Sequence, residues 1–191
     1  MKTKKSSLQF IFNAVIIALV LMAIMHAFAP YMGLTQDKLR HAQHVREQIR
    51  LIAPDEVEKR LKSPDGKPTV LVVYASWCKY CRQVMPQIVA VAERERQNVH
   101  FLFLSRDREG LAFATYLVRN GFDLHVAPYV VDGPDAQALQ DMLESRGVPY
   151  QGGIPFIAVF TPDGRFLQAF SSNIRQNSLL AALDEAGKKT H

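Results

Sequence analysis

Thr69-Val70-Leu71-Val72-Val73-Tyr74-Ala75-Ser76-Trp77-Cys78-Lys79-Tyr80-Cys81 joins an unbroken apolar run to two cysteines set two residues apart, and the chain has no other cysteine. The run from Thr69 to Tyr74, mostly β-branched or aromatic, reads as a strand buried on both faces of a parallel sheet. Beyond the pair, Val84, Met85, Ile88, Val89 and Ala92 recur at helical spacing, and Pro86 is expected to interrupt that helix's hydrogen-bond ladder and kink it. The cysteines therefore stand where a buried strand ends and a helix begins. Two sulfurs at the first turn of a helix lie within disulfide reach, and the free N–H groups there stabilise the thiolate of the first. This makes Cys78 the nucleophile and Cys81 the resolving thiol.

Other uses of the pair fit less well. A structural zinc site needs four ligands, usually a second cysteine pair or a spaced histidine pair, and His41 and His44, three apart, precede the strand and lack the usual spacing. A c-type haem requires histidine directly after the second cysteine, where this chain has Arg82. An inert structural disulfide across so short a loop would remove little chain entropy. Redox chemistry with no metal and no organic cofactor is what remains.

Strands and helices alternate through the rest of the chain. His100 to Leu104 reads as a second buried strand and Glu109 to Asn120 as a helix ended by Gly121. Leu124 to Val131 reads as a strand, and Asp135 to Arg146 as a helix before Gly147. Phe156 to Thr161 and Phe166 to Ser171 flank the turn residues Pro162-Asp163-Gly164-Arg165 and should pair as a hairpin. Asn177 to Ala186 closes the chain as a helix. The expected class is α/β: a mixed, mainly parallel sheet with helices on both faces.

The pattern resembles the thioredoxin superfamily over roughly Ala53 to Lys188. Four features carry the likeness: Trp77 before the first cysteine, the two-residue spacer, Pro86 five residues after Cys81, and Gly153-Ile154-Pro155 before the penultimate strand. The resemblance implies a cis bond at Pro155 facing the cysteine pair, and a backbone at Ile154 that receives an extended substrate segment. It also implies that Trp77 is a platform of the site. The long segment between His100 and Pro155 looks like the membrane-anchored thiol-disulfide oxidoreductases of the TlpA and ResA type, which mostly reduce disulfides outside the cytoplasm. One position departs from thioredoxin itself: Val72, six residues before Cys78, stands where a buried aspartate would assist the resolving cysteine, so no base for Cys81 is identified.

Leu8 to Ala29 carries only Asn13 and His26 as clearly polar residues. Twenty-two residues make about 33 Å of helix, enough for a bilayer core of about 30 Å. A cleaved signal peptide is the alternative, since Ala27-Phe28-Ala29 has the small-x-small form; the apolar length and Pro30 favour a retained anchor. Lys2, Lys4 and Lys5 place the N-terminal end in the cytoplasm, although Lys38, Arg40 and Arg46 flank the other end. The expected organisation is a cytoplasmic tail over 1–7, a transmembrane helix over 8–29, a helical linker over 30–52 and a thioredoxin-like domain over 53–191. A bacterial inner-membrane protein with its domain in the periplasm or outside the cell is implied, on the side where disulfides persist. In the linker, Ala42, Val45, Ile49 and Ile52 give an apolar stripe on a helix from about Asp37 to Leu51, facing its own domain, the membrane surface or a dimer partner.

The formal net charge is +5, from 23 basic and 18 acidic residues. Three of the basic residues are the N-terminal lysines, so the remainder is nearly balanced and nucleic-acid binding has no support. The partners expected are protein disulfides, the bilayer through residues 8–29, and a membrane protein that renews the dithiol. Lys79 should stabilise the Cys78 thiolate, and so the reduced form. Reduction of extracytoplasmic disulfides is the leading reading. A disulfide oxidase or isomerase of secreted proteins, and a tethered binding module or chaperone, are the alternatives.

Overall fold

A computed structural model describes residues 13–24, 36–108, 110–122, 129–131, 133–171 and 174–188. The chain divides into two units, Met1–Leu39 and Arg40–His191. In the first, residues 13–24 form helix α1, whose apolar side chains, among them Ile17, Leu19 and Met22, are exposed. Among the described residues no helix is long and apolar enough to cross a membrane. The remainder of the expected 8–29 span, residues 8–12 and 25–29, lies outside the described residues.

From Gln36 the order is α2 (Gln36–Gln48), β1 (Arg50–Leu51), α3 (Pro54–Arg60), β2 (Thr69–Tyr74), α4 (Lys79–Glu95), β3 (His100–Ser105) and α5 (Leu111–Asn120). Then come β4 (Tyr129–Val130), α6 (Pro134–Ser145), β5 (Phe156–Phe160), β6 (Phe166–Phe170) and α7 (Gln176–Lys188). The six strands form one sheet in the order β1-β4-β3-β2-β5-β6. The first four are mutually parallel, β5 is antiparallel to β2, and β6 is antiparallel to β5. The expected mixed, mainly parallel α/β sheet is thus present.

Alternation along β2 shows how the sequence builds two cores. Val70, Val72 and Tyr74 join one buried cluster with residues of α2, α4, α5 and α7, while Leu71 and Val73 join a second with residues of α3 and α6. Successive side chains of a strand point to opposite faces, so a strand covered on both sides must be apolar throughout. All six residues of β2 are buried.

The hairpin forms as expected, with Ile157 opposite Phe170 and a register irregularity at Val159 and Phe160. Gly164 closes its turn at φ 83°, with its N–H on the Thr161 carbonyl at 2.8 Å. An added Cβ there would also meet Lys62 Cγ at 2.8 Å, so only glycine fits. Pro86 lies inside α4, which continues to Glu95.

Two expectations change, and a third is narrowed to one of its alternatives, the stripe packing on its own domain. The helix expected to reach Leu51 stops at Gln48, and Arg50–Leu51 is instead an edge strand beside β4. The stripe is buried within its own unit: Ala42, Val45 and Ile49 join the first core and Ile52 the second, which removes the dimer reading of that surface. An additional helix, α3, fills the space ahead of β2. Of the strand expected over Leu124–Val131, Tyr129–Val130 is β4, and 123–128 lie outside the described residues. Glu109, expected to start α5, also lies outside them.

Candidate redox site

Cys78 is the N-cap of α4. Its backbone is extended (φ −77°, ψ 116°), and its Sγ accepts the backbone N–H of Cys81 at 3.2 Å. A helix start leaves N–H groups without partners, and here the sulfur takes one of them in the manner of a capping oxygen. Both cysteines are free thiols, so the structure shows the dithiol form of the pair, and a Cys78–Cys81 disulfide belongs to the oxidised form.

The two sulfurs differ in access and in charge. Cys78 retains 8% of its surface and Cys81 none. Burial, with a smaller contribution from the Cys78 sulfur beside it, pushes the Cys81 thiol up to about 12. Cys81 therefore stays protonated at neutral pH. At pH 7 to 9 an alkylating reagent is expected to modify Cys78 alone in the folded dithiol protein, with Cys81 becoming reactive only as pH approaches 12 or on unfolding. Peptide mapping after alkylation checks this, and preferential modification of Cys81 would reverse the two assignments.

Across from the motif, Ile154 and Pro155 arrive on the loop before β5. The Cys78 thiol lies 3.8 Å from the Ile154 carbonyl oxygen, its hydrogen-bond acceptor, and the Ile154–Pro155 bond is cis. The fold thus brings together Cys78, Cys81, Ile154 and the buried Pro155. A cavity of about 250 Å³ opens alongside, lined by Tyr80, Tyr150, Gln151, Ile154, Pro155 and Phe156 among others. Trp77 and Tyr80 stand beside the cysteines at 63% and 59% exposure, unusual for large aromatic side chains with no buried role. Lys79 is exposed at the first position of α4. Among the described residues no group of three or more His, Cys, Asp or Glu side chains is arranged to hold a metal ion.

Behind the pair is a polar cluster that the sequence reading passed over. Asp107, 6% exposed, accepts hydrogen bonds from the Ser76 backbone N–H at 2.7 Å, the Ser76 hydroxyl at 2.5 Å and the Ser105 hydroxyl at 2.6 Å. Tyr74 and Tyr116 lie within electrostatic reach of both Asp107 and Cys81, and burial above all raises both phenols, Tyr116 to about 12. The available signal was position: Asp107 lies just past the C-terminal end of a central parallel strand, where open α/β sheets place their sites. Val72, by contrast, is fully buried and apolar.

Residues 66–166, just over half of the chain, match the family described as thioredoxin-like. The chain belongs to the thioredoxin-like family. Family membership places the Cys-x-x-Cys pair, which caps the first long helix after the central strand, within a thioredoxin-like domain. It is 30% identical over 69 residues to thioredoxin-like protein HCF164, chloroplastic, of Arabidopsis thaliana, a match covering 30% of this chain and 26% of that protein. The chain thus spans about a quarter of the curated relative's length. The thioredoxin-related protein from Neisseria meningitidis serogroup B superposes with a TM-score of 0.52 at 20% identity, over 68% of this chain and 90% of that one. A thiol:disulfide interchange protein of the thioredoxin family from Chlorobium tepidum TLS gives 0.52 at 19% identity, over 68% and 84%. Likeness at those identities is likeness of fold.

Proposed function

We propose that this protein is a membrane-anchored reductase of protein disulfides outside the cytoplasm, with Cys78 as nucleophile and Cys81 as resolving thiol. The observation that carries the reading is the Cys78 sulfur itself. It caps α4, retains access to solvent and lies beside the Ile154 carbonyl at the edge of a cavity. In the first step the Cys78 thiolate attacks one sulfur of a substrate disulfide, forming a mixed disulfide and releasing the other substrate sulfur as a thiolate that takes a proton. In the second, Cys81 loses its proton and attacks Cys78 Sγ. The Cys78–Cys81 bond forms, and the remaining substrate sulfur leaves with the electron pair and is protonated. Two electrons pass to the substrate, so a reductant must later restore the dithiol; a membrane partner that carries electrons across the bilayer has that role.

Trp77, Ile154 and Pro155 form the docking surface, with the half-buried Ile154 offering its backbone to an extended substrate segment. Lys79, exposed one residue beyond Cys78, places a positive charge next to the attacking residue. The reducing direction rests on the resemblance to the TlpA and ResA type. Rapid acid quenching of cells followed by thiol alkylation tests it: a reductase is found mainly as the dithiol, and a pair found mainly as the disulfide would make the protein an oxidase.

The anchor is residues 8–29, with the tail 1–7 in the cytoplasm and the domain in the periplasm or outside the cell. The apolar length of the segment and the exposed apolar side chains of α1 support it. The protein is expected to fractionate with membranes and to lose its domain when protease is added to spheroplasts. Protection in spheroplasts with digestion after lysis would reverse the orientation, and a soluble product starting near Pro30 would show a cleaved signal instead.

A further inference from the structure

A buried carboxylate is costly unless hydrogen bonds meet its charge, and Asp107, which the exchange chemistry leaves unused, is met twice by one residue. Ser76 gives it the backbone N–H at 2.7 Å and the hydroxyl at 2.5 Å, while the Ser105 hydroxyl donates to it at 2.6 Å and accepts the Asp107 N–H at 3.0 Å. Ser76 and Trp77 are the central residues of a turn closed by the Cys78 N–H on the Ala75 carbonyl at 3.2 Å, the bond pattern of a β-turn. Arg82, one turn into α4, holds the same segment from outside. Its Nη1 donates to the Ser76 carbonyl at 3.1 Å, and its backbone N–H to the Cys78 carbonyl at 3.1 Å. The turn that ends in Cys78 is thus fixed from the core by Asp107 and from the surface by Arg82.

We propose that Asp107 is a positioning residue for the attack by Cys78: through the Ser76 N–H and hydroxyl it fixes the Ala75–Cys78 turn, and with it the direction in which the Cys78 sulfur meets a protein disulfide docked at Ile154. The sulfur lies 3.8 Å from the Ile154 carbonyl oxygen, so a disulfide in a segment bound at Ile154 must meet it in the orientation that the turn sets. When both reacting groups are held in this way, a misplacement of about 1 Å can cost about 10²-fold in rate. A small alkylating reagent is held nowhere and approaches Cys78 from solvent in any open direction. Loss of Asp107 should therefore slow attack on a protein disulfide while leaving alkylation of Cys78 nearly unchanged, a separation that general loosening of the fold or loss of the reactive thiol does not produce.

The inference rests on Cys78 being the exchanging sulfur, and the test keeps the two claims apart. Full-length Cys81→Ala protein, in which the mixed disulfide persists, is treated in one series with insulin as the disulfide probe and in another with iodoacetamide. Both are quenched with acid at intervals, and the Cys78 adducts are counted by mass. With Asp107→Ala added, the insulin adduct is expected to form about tenfold more slowly, while iodoacetamide reacts within about twofold of the parent rate. Asp107→Asn keeps an oxygen for the Ser76 N–H and should recover most of the insulin rate. Trp77, the only tryptophan of the chain and a central residue of the turn, reports the same event directly: its fluorescence anisotropy decay should gain fast local motion in Asp107→Ala. Equal slowing of both reactions, slowing of neither, or an unchanged Trp77 decay overturns the inference, and so does an Asp107→Asn variant as slow as Asp107→Ala. Should Asp107→Ala not fold, Ser76→Ala, which loses only the hydroxyl contact, decides: its insulin reaction alone should slow, and parent rates for both reactions overturn the inference. Parent protein that takes iodoacetamide at Cys78 but forms no insulin adduct would refute the exchange reading and this inference with it.

Discussion

Cys78→Ser is expected to abolish disulfide exchange, whereas Cys81→Ala should leave the protein joined covalently to its substrates. Both outcomes follow from the unequal placement of the two sulfurs. Cys78 caps α4 and meets the Ile154 carbonyl at 3.8 Å, while Cys81 has no exposed surface and donates its backbone N–H to the Cys78 sulfur. Without Cys78 nothing remains at the surface to open a substrate disulfide. Without Cys81 the first step still runs, but the mixed disulfide has no resolving thiol and persists. Non-reducing electrophoresis of membranes from cells expressing each variant should show high-mass adducts for Cys81→Ala that vanish on reduction, and none for Cys78→Ser. Adducts confined to Cys78→Ser would invert the assignment, and mass spectrometry of the trapped partners would name the substrates.

The second large effect is expected in the core beneath the site. Phe103, fully buried on β3, packs edge-on against Tyr74 at 6.4 Å between ring centroids and stacks with Phe101 at 5.9 Å. Phe103→Ala is expected to cost about 3–5 kcal/mol, combining lost transfer free energy with the cavity left behind. That is a large part of the roughly 5–15 kcal/mol by which such domains are stable. A drop of about 6–20 °C in melting temperature corresponds to it for a unit of this size. A drop below about 2 °C would mean that this aromatic cluster does not organise the sheet beside the cysteines.

The central strand, the helix after the cysteines and the hairpin were legible because each carries a strong local signal. Val70–Val73 is apolar at every position, α4 repeats its apolar residues at helical spacing, and Pro162 to Arg165 is turn chemistry between two apolar runs. The site was legible to the same degree, because two cysteines at helix spacing after a buried strand leave few other chemistries. Thioredoxin-like family membership then agrees with the resemblance drawn from Trp77, Pro86 and Gly153-Ile154-Pro155.

What the sequence hid was either short or dependent on distant partners. Arg50–Leu51 is two residues long and becomes a strand only by pairing with Tyr129–Val130, so no local pattern marks it. Helix α3 did carry marks, with Pro54 in its first turn, Asp55 and Glu56 after it and Lys59 and Arg60 at its end, an arrangement that complements the helix dipole. Its seven residues were too few for periodicity to show. Asp107 escaped notice because an acid after a strand reads as an ordinary loop residue. Only the fold brings it onto Ser76, 31 positions earlier in the chain.

The most direct test of the account is a stoichiometric one. Full-length protein in the dithiol form, held in detergent and mixed with one equivalent of insulin, is quenched and alkylated, and the thiols of both partners are counted by mass. The account predicts that Cys78 and Cys81 lose their alkylation together, as one Cys78–Cys81 disulfide forms and two thiols appear on the substrate. Cysteines that both stay free beside fully oxidised insulin would contradict it.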